Sequence, residues 1–393
     1  MKVLFVFLML ATSQIWAQDH KSQIQQIVTD TLASKWYEKI QLKGYSHFRY
    51  NRLGETNKDL NCLACDKSIG DKQGFFMRRA RLTFFGEVSD KVYIYIQPDY
   101  STDALTNQNY FQLRDAYFDY ALSDDKEFRV RLGISKVPYG FDNLQSSSNR
   151  APLDRDDAFN TGVANERDTG VFLMYAPTEI RKRFKELTSN NLKGTGDYGM
   201  VAIGAYNGQT LNKTEKNNDL HRVARFTYPF KLKSGQFIEA SVQAYEGKFN
   251  VAPSNKDYYD QRSGATLIVY PQPIGFQLEY NIGRGPEYDA KTNDVDTKNL
   301  KGGYAQINYQ TYYKEHRFFP YVRFQEFEGA RKLDNNATAI STTEWEIGSE
   351  WQPNPSLELT AAYAMMNRAS QSGRSNKSHE DGSLIRLQAQ FNY

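Results

Sequence analysis

The sequence predicts an all-β chain closed as a transmembrane antiparallel β-barrel of about sixteen strands. Uncharged, mostly apolar residues recur at every second position in eight segments, with polar or charged residues between them. Short and long connections also alternate along the chain, the rhythm of outer-membrane barrels with short periplasmic turns and longer external loops. Composition agrees: the 393 residues include 27 Tyr, 24 Phe and 26 Gly but only 12 Pro, which favours strands and turns over helices.

The first residues, "MKVLFVFLMLATSQIWAQ", combine Lys2, an apolar run from Val3 to Ala11 and a cleavage point after Ala17, so residues 1–17 read as a signal peptide for export. Ile15 is larger than the small residue usual three positions before the cut. No run reaches the ~20 apolar residues of a membrane-spanning helix. In residues 18–38, Ile24, Ile27, Val28 and Leu32 lie at near-helical spacing and predict a short periplasmic helix ahead of a barrel domain over 39–393. Cys62 and Cys65 in "CLAC" read as a local disulfide or two inert thiols. The five histidines are scattered, so neither a metal nor another cofactor is expected.

From Ile40 the period becomes two. One face runs Ala80, Leu82, Phe84; Val92, Ile94, Ile96; Phe128, Val130, Leu132, Ile134; and Ile238, Ala240, Val242, Ala244. It continues with Phe276, Leu278, Tyr280, Ile282; Trp345, Ile347, Ser349, Trp351; Leu357 to Met365; and Ile385 to Tyr393. The other face carries Arg79, Arg81, Thr83; Tyr93, Tyr95; Arg129, Arg131; Glu239; Glu279; Glu346, Glu350; and Arg386. Weaker segments near 40–50, 110–122, 167–176, 198–207, 219–229, 262–270, 300–312 and 318–327 complete the count. Long polar connections are expected at 51–74, 136–166, 208–218, 247–261, 284–299, 328–343 and 367–382. The basic stretch 177–197 breaks the rhythm, being long where a short turn is due. A soluble sandwich of this many strands would divide into domains, and no dividing linker is visible.

The segments "RRARLTFFGEV" and "RVRLGISKVPYGFDNLQSSSN" and the terminal "FNY" resemble the phosphate-selective porin O and P family of Gram-negative outer membranes. That resemblance implies a sixteen-stranded barrel with the third loop folded inward, assembled as a homotrimer in the outer-membrane lipid and passing small anions such as phosphate. It would make Arg79, Arg81, Arg129 and Arg131 wall residues, residues 136–166 the constricting loop, and Lys136 the base of that loop. The loop also carries Arg150 and Arg155, set against Asp142, Asp154, Asp156 and Asp157.

Charge placement argues in the same direction. A tilted strand climbs ~2.5 Å per residue, which places Arg79 and Arg81 on the order of 20–25 Å above the periplasmic turns and Arg129 and Arg131 on the order of 5–10 Å above them. The acids Glu239, Glu279, Glu346, Glu350 and Glu358 fall on later strands, which predicts opposite signs on opposite walls. Guanidinium groups present a planar donor fork suited to phosphate or carboxylate. Tyr93 and Tyr95 lie between the arginine strands, whereas Arg78 has the wrong parity and is expected at the lipid headgroups.

The leading expectation is therefore a passive, anion-preferring channel, with a non-selective or oligosaccharide-accepting channel as the alternative. A net charge of +3, from 49 Lys and Arg against 46 Asp and Glu, gives no global basic field and excludes a nucleic-acid partner. A barrel enzyme would need a nucleophile beside a base, and neither G-x-S-x-G nor H-E-x-x-H occurs.

Overall fold

A computed structural model describes residues 36–55, 73–103, 108–375 and 377–393. The expected signal peptide, the expected N-terminal helix as far as residue 35, and Cys62 and Cys65 lie outside those residues.

Sixteen antiparallel staves close the wall. In order they are β1 (Gln41–Glu55), β2 (Gly74–Glu87), β3 (Val92–Asp103), β4 (Gln108–Ala121), β5 (Phe128–Lys136), β6 (Arg167–Tyr175), β7 (Val201–Tyr206), β8 (His221–Lys231) and β9 (Phe237–Val251). Next come β10 (Lys256–Val269), β11 (Ile274–Asp289), β12 (Asp294–Tyr309), β14 (His316–Arg331), β15 (Thr338–Asn354), β16 (Leu357–Gln371) and β17 (Lys377–Asn392). The short β13 (Thr311–Tyr313) continues β12 along the same neighbour, β14. Closure is made by β1, which pairs with β2 on one side and β17 on the other, Tyr45 standing opposite Asn392. No backbone edge then faces lipid, the condition a bilayer imposes on β structure.

The period-two pattern explains which side faces what. Leu82, Phe84, Val242, Ile282, Trp345 and Ile347 are exposed on the outer surface, while their neighbours Arg81, Thr83, Gln243, Asn281 and Glu346 are buried inside. Burial is thus inverted relative to a soluble protein, as lipid contact requires.

Four of the expected long external connections are largely strand. β9 runs to Val251 and β10 starts at Lys256; β11 ends at Asp289 and β12 starts at Asp294; β14 ends at Arg331 and β15 starts at Thr338; β16 runs to Gln371 and β17 starts at Lys377. The alternation fades there because both faces are wet once strands rise above the lipid, so polarity alone read as loop. Phe249, Val251, Val295, Ala330 and Ala337 of these tall hairpins cluster into a small core of their own.

The lumen is occupied by two connections. Residues 137–166, joining β5 to β6, place Val137, Tyr139, Ala158, Phe159 and Val163 against inward apolar residues such as Phe172, Tyr245, Leu300, Phe327 and Leu384. Residues 176–200, joining β6 to β7 at the opposite end, contain the helix Thr178–Ser189. Its Ile180, Phe184 and Leu187 repeat at helical spacing and are buried against Phe141, Phe237, Ile268 and Tyr270. Each such buried side chain contributes on the order of 2 kcal/mol.

Candidate functional site

Among the described residues, two cavities border the β1–β6 side of the lumen, the upper one also reaching residues 210–213 and 331–334. The lower one, about 700 Å³, lies between β1–β6 and the 176–200 link; Tyr93, Tyr95, Arg129, Arg131 and Lys136 line it. The upper one, about 330 Å³, is lined by Arg79, Arg81, Arg150 and Arg155. Thus all nine residues singled out from the sequence border one cavity or the other.

They are held differently from one another. Arg131 Nε and Nη2 donate to both oxygens of Asp119 at 2.7 and 2.8 Å, and its guanidinium lies 3.9 Å from the Tyr117 ring centroid. Tyr117 stacks on Tyr95 at 5.2 Å, and Tyr198 faces Arg131 from the link at 5.3 Å. Arg129 is tied to Asp197 at 2.8 Å. Higher on the wall, Arg81 donates to Asp99 at 3.0 Å and to the Tyr45 hydroxyl at 2.8 Å. Ser147, in the serine-rich stretch of the third loop, meets Tyr45 at 2.7 Å and Arg81 at 3.2 Å, and also accepts from Arg79. The Ser147 hydroxyl thus joins the loop to Arg79 and Arg81.

Loop geometry follows from charge and helix-end chemistry. Glu279, on the far wall, accepts from the backbone N–H groups of Phe141 and Asp142 at 2.6 and 2.7 Å, capping the short helix Phe141–Leu144. Lys136 donates to the carbonyls of Leu144 and Gln145, both at 2.7 Å, closing the other end. Arg150 donates to the carbonyls of Pro152 and Leu153 at 2.9 Å each. Arg155 pairs with Glu166 at 2.6 Å, and Glu166 also holds Arg114 at 2.9 Å and Arg167 at 2.7 Å. Burial opposes ionisation of Glu166, but Arg155, Arg114 and Arg167 outweigh it and hold its carboxyl well below the usual carboxylate range.

Two expectations need correction. Arg78 lines the upper cavity, because the register slips between His47 and Phe48: Arg79 faces His47, Met77 faces Phe48, and Arg78 is the extra residue of a β-bulge. Strict parity, which assigned it to the lipid headgroups, does not survive an inserted residue. Nor do the walls carry opposite signs. The far-wall acids have basic neighbours there: Glu239 with Arg225 at 3.1 Å, Glu350 with Arg317 at 2.6 Å, and Glu346 with Arg386. Arg225 lies in a weakly patterned segment, and Arg317 falls one residue outside the segment expected at 318–327, because β14 already starts at His316.

What survives is an excess. Among the described residues, the upper cavity is lined by nine Lys or Arg against five Asp or Glu, and the lower by six against four. A closed barrel, a loop laid across its lumen and inward cations describe a transmembrane channel. Over residues 54–257 and 249–393, the chain matches the sequence model of the phosphate-selective porin O and P family.

The chain belongs to that family. The porin's fold is shared by the outer membrane channel DcaP of Acinetobacter baumannii, at 16% identity over 90% of this chain and 97% of that one, with a TM-score of 0.56. The anion-selective porin of Comamonas acidovorans aligns at 8% identity over 90% and 99%, TM-score 0.52. OmpT of Vibrio cholerae in its trimer form aligns at 9% over 90% and 99%, TM-score 0.50. No curated protein sequence matches the porin. Family and fold together make it an outer-membrane channel rather than an enzyme.

Sequence reasoning missed several residues of this porin's lumen: Tyr45, Asp99, Arg114, Ser147, Glu166, Arg167 and Tyr198. Strict alternation in "FQLRDAYFDY" groups Arg114 with the exposed Phe118 and Tyr120; Arg114 turns inward because the register slips between Gln97 and Pro98, leaving it as an extra residue beside the buried Asp115.

Proposed function

We propose that this porin is a water-filled passive diffusion channel that prefers anions, phosphate or phosphate-like solutes among them. The excess of cationic side chains along both cavities carries the reading. Most of these arginines have a carboxylate partner, yet the surplus leaves a positive potential along the whole open route, and a low-dielectric wall focuses it. Guanidinium forks already oriented by Asp99 and Asp119 exchange water for phosphate oxygens without first losing side-chain freedom. We further propose a homotrimer exported to the outer membrane after removal of residues 1–17; the trimer form of the structurally similar OmpT supports the assembly by analogy of fold.

Reversal potentials in planar bilayers under a salt gradient test the preference. Anion preference is expected, with phosphate depressing the chloride current. A cation-side reversal potential would overturn the reading. The alternative, an oligosaccharide-accepting channel, draws on Tyr93, Tyr95, Tyr117 and Tyr198 around the lower cavity. It predicts current block by oligosaccharides and none by phosphate.

A further inference from the structure

We infer that the periplasmic link 176–200 is a second constriction element, which confines solute to the β1–β6 side of the lumen, and that Lys193 is the residue that pins it there. Its helix seals against inward apolar residues of the far wall, Phe237, Ile268 and Tyr270, where a water-filled lumen would call for polar ones. Beyond the helix, Lys193 reaches across to Glu350 at 2.6 Å, and Arg317 holds the second oxygen of that carboxylate at the same distance. The Lys193 ammonium also lies 5.2 Å from the Phe319 ring centroid. Lys193 is 2% exposed and keeps a left-handed backbone, φ 67°, a conformation unfavourable for a lysine unless its surroundings fix it.

The link also meets the third loop. Gln145 donates to the Lys193 carbonyl at 2.5 Å and Asn149 to the Gly194 carbonyl at 2.7 Å. That seam joins a segment entering from below to one entering from above. On the near side, Arg129 and Arg181 clamp Asp197 at 2.8 and 3.0 Å, which sets Tyr198 opposite Arg131 as one boundary of the lower cavity. The open route therefore runs past the arginine wall because the link fills the remaining section.

The inference rests on the channel reading and not on its anion preference, so the two fail separately. Replacing residues 178–198 by a four-residue Gly-Ser turn is expected to raise single-channel conductance at least twofold. Larger neutral sugars should then pass in liposome swelling, while the sign of the reversal potential is kept. A folded variant, judged by heat-modifiable gel mobility, with unchanged conductance and unchanged sugar cut-off overturns the inference. Should the shortened chain not assemble, the double variant Lys193→Met with Gln145→Ala serves instead. It is expected to give open-state flicker and a higher mean conductance, and quiet traces at the original conductance count against the link. A wrong-sign reversal potential in the unmodified protein would instead strike the anion preference.

Discussion

Asp99 sits between two guanidinium groups, 3.0 Å from Arg81 and 3.9 Å from Arg114, and so sets how much of their charge a passing solute meets. Neutralising it in Asp99→Asn leaves both cations in place. Two unit charges ~4 Å apart in water interact by about 1 kcal/mol, so the anion-to-cation permeability ratio should rise about fivefold. Arg79→Gln should lower it by a similar factor, because Arg79 bonds the Ser147 hydroxyl, which leaves its charge undiminished. Reversal potentials of both variants check the pair, and a shift of the same sign in both would contradict the assignment. Glu166 is a different kind of acid: with its carboxyl held well below the usual range, it stays charged through mild acid. Protonation there therefore contributes no gain in selectivity as pH falls from 7 toward the ordinary carboxylate range.

Among the elements, the link helix is the one whose stability can be tested apart from the wall. Phe184 fills the centre of its buried face, and Phe184→Ala should cost about 3–5 kcal/mol locally. The helix carries Arg181, Lys182, Arg183 and Lys185, so loosening it should expose new tryptic sites. Cleavage between 181 and 193, with the barrel remaining heat-modifiable on gels, is the expected outcome; resistance equal to that of the unmodified protein would show that the helix does not depend on this contact. The sequence made this element half legible. Its length and charge broke the rhythm of connections, and Ile180, Phe184 and Leu187 stand at helical spacing, but nothing local says that such a face turns into a barrel. That information is spread over Phe237, Ile268 and Tyr270, inward positions that are apolar for no reason until the helix is in place. The lipid-facing parts of the strands were legible because lipid contact writes a period of two into them. Above the lipid that constraint lapses, and the hairpin tips were misjudged as loops.

At the scale of the whole molecule, the alternation identified a barrel and its inner face, and could rank the residues of that face only by sign. Which acid neutralises which arginine depends on register and on two segments that cross the lumen, both long-range properties. Arg114 and Arg155 meet at Glu166 although they come from a strand and a loop. Arg78 joined the upper cavity through a single inserted residue. The two cavities also differ, with nine cations against five acids in the upper and six against four in the lower among the described residues. A duct whose fixed charge falls from one mouth to the other is an electrical diode: mobile ions accumulate or deplete in it according to the direction of the applied voltage. The current–voltage curve of a channel inserted in one orientation should bend at 0.1 M salt, where the Debye length is ~10 Å, and straighten near 1 M, where it is ~3 Å.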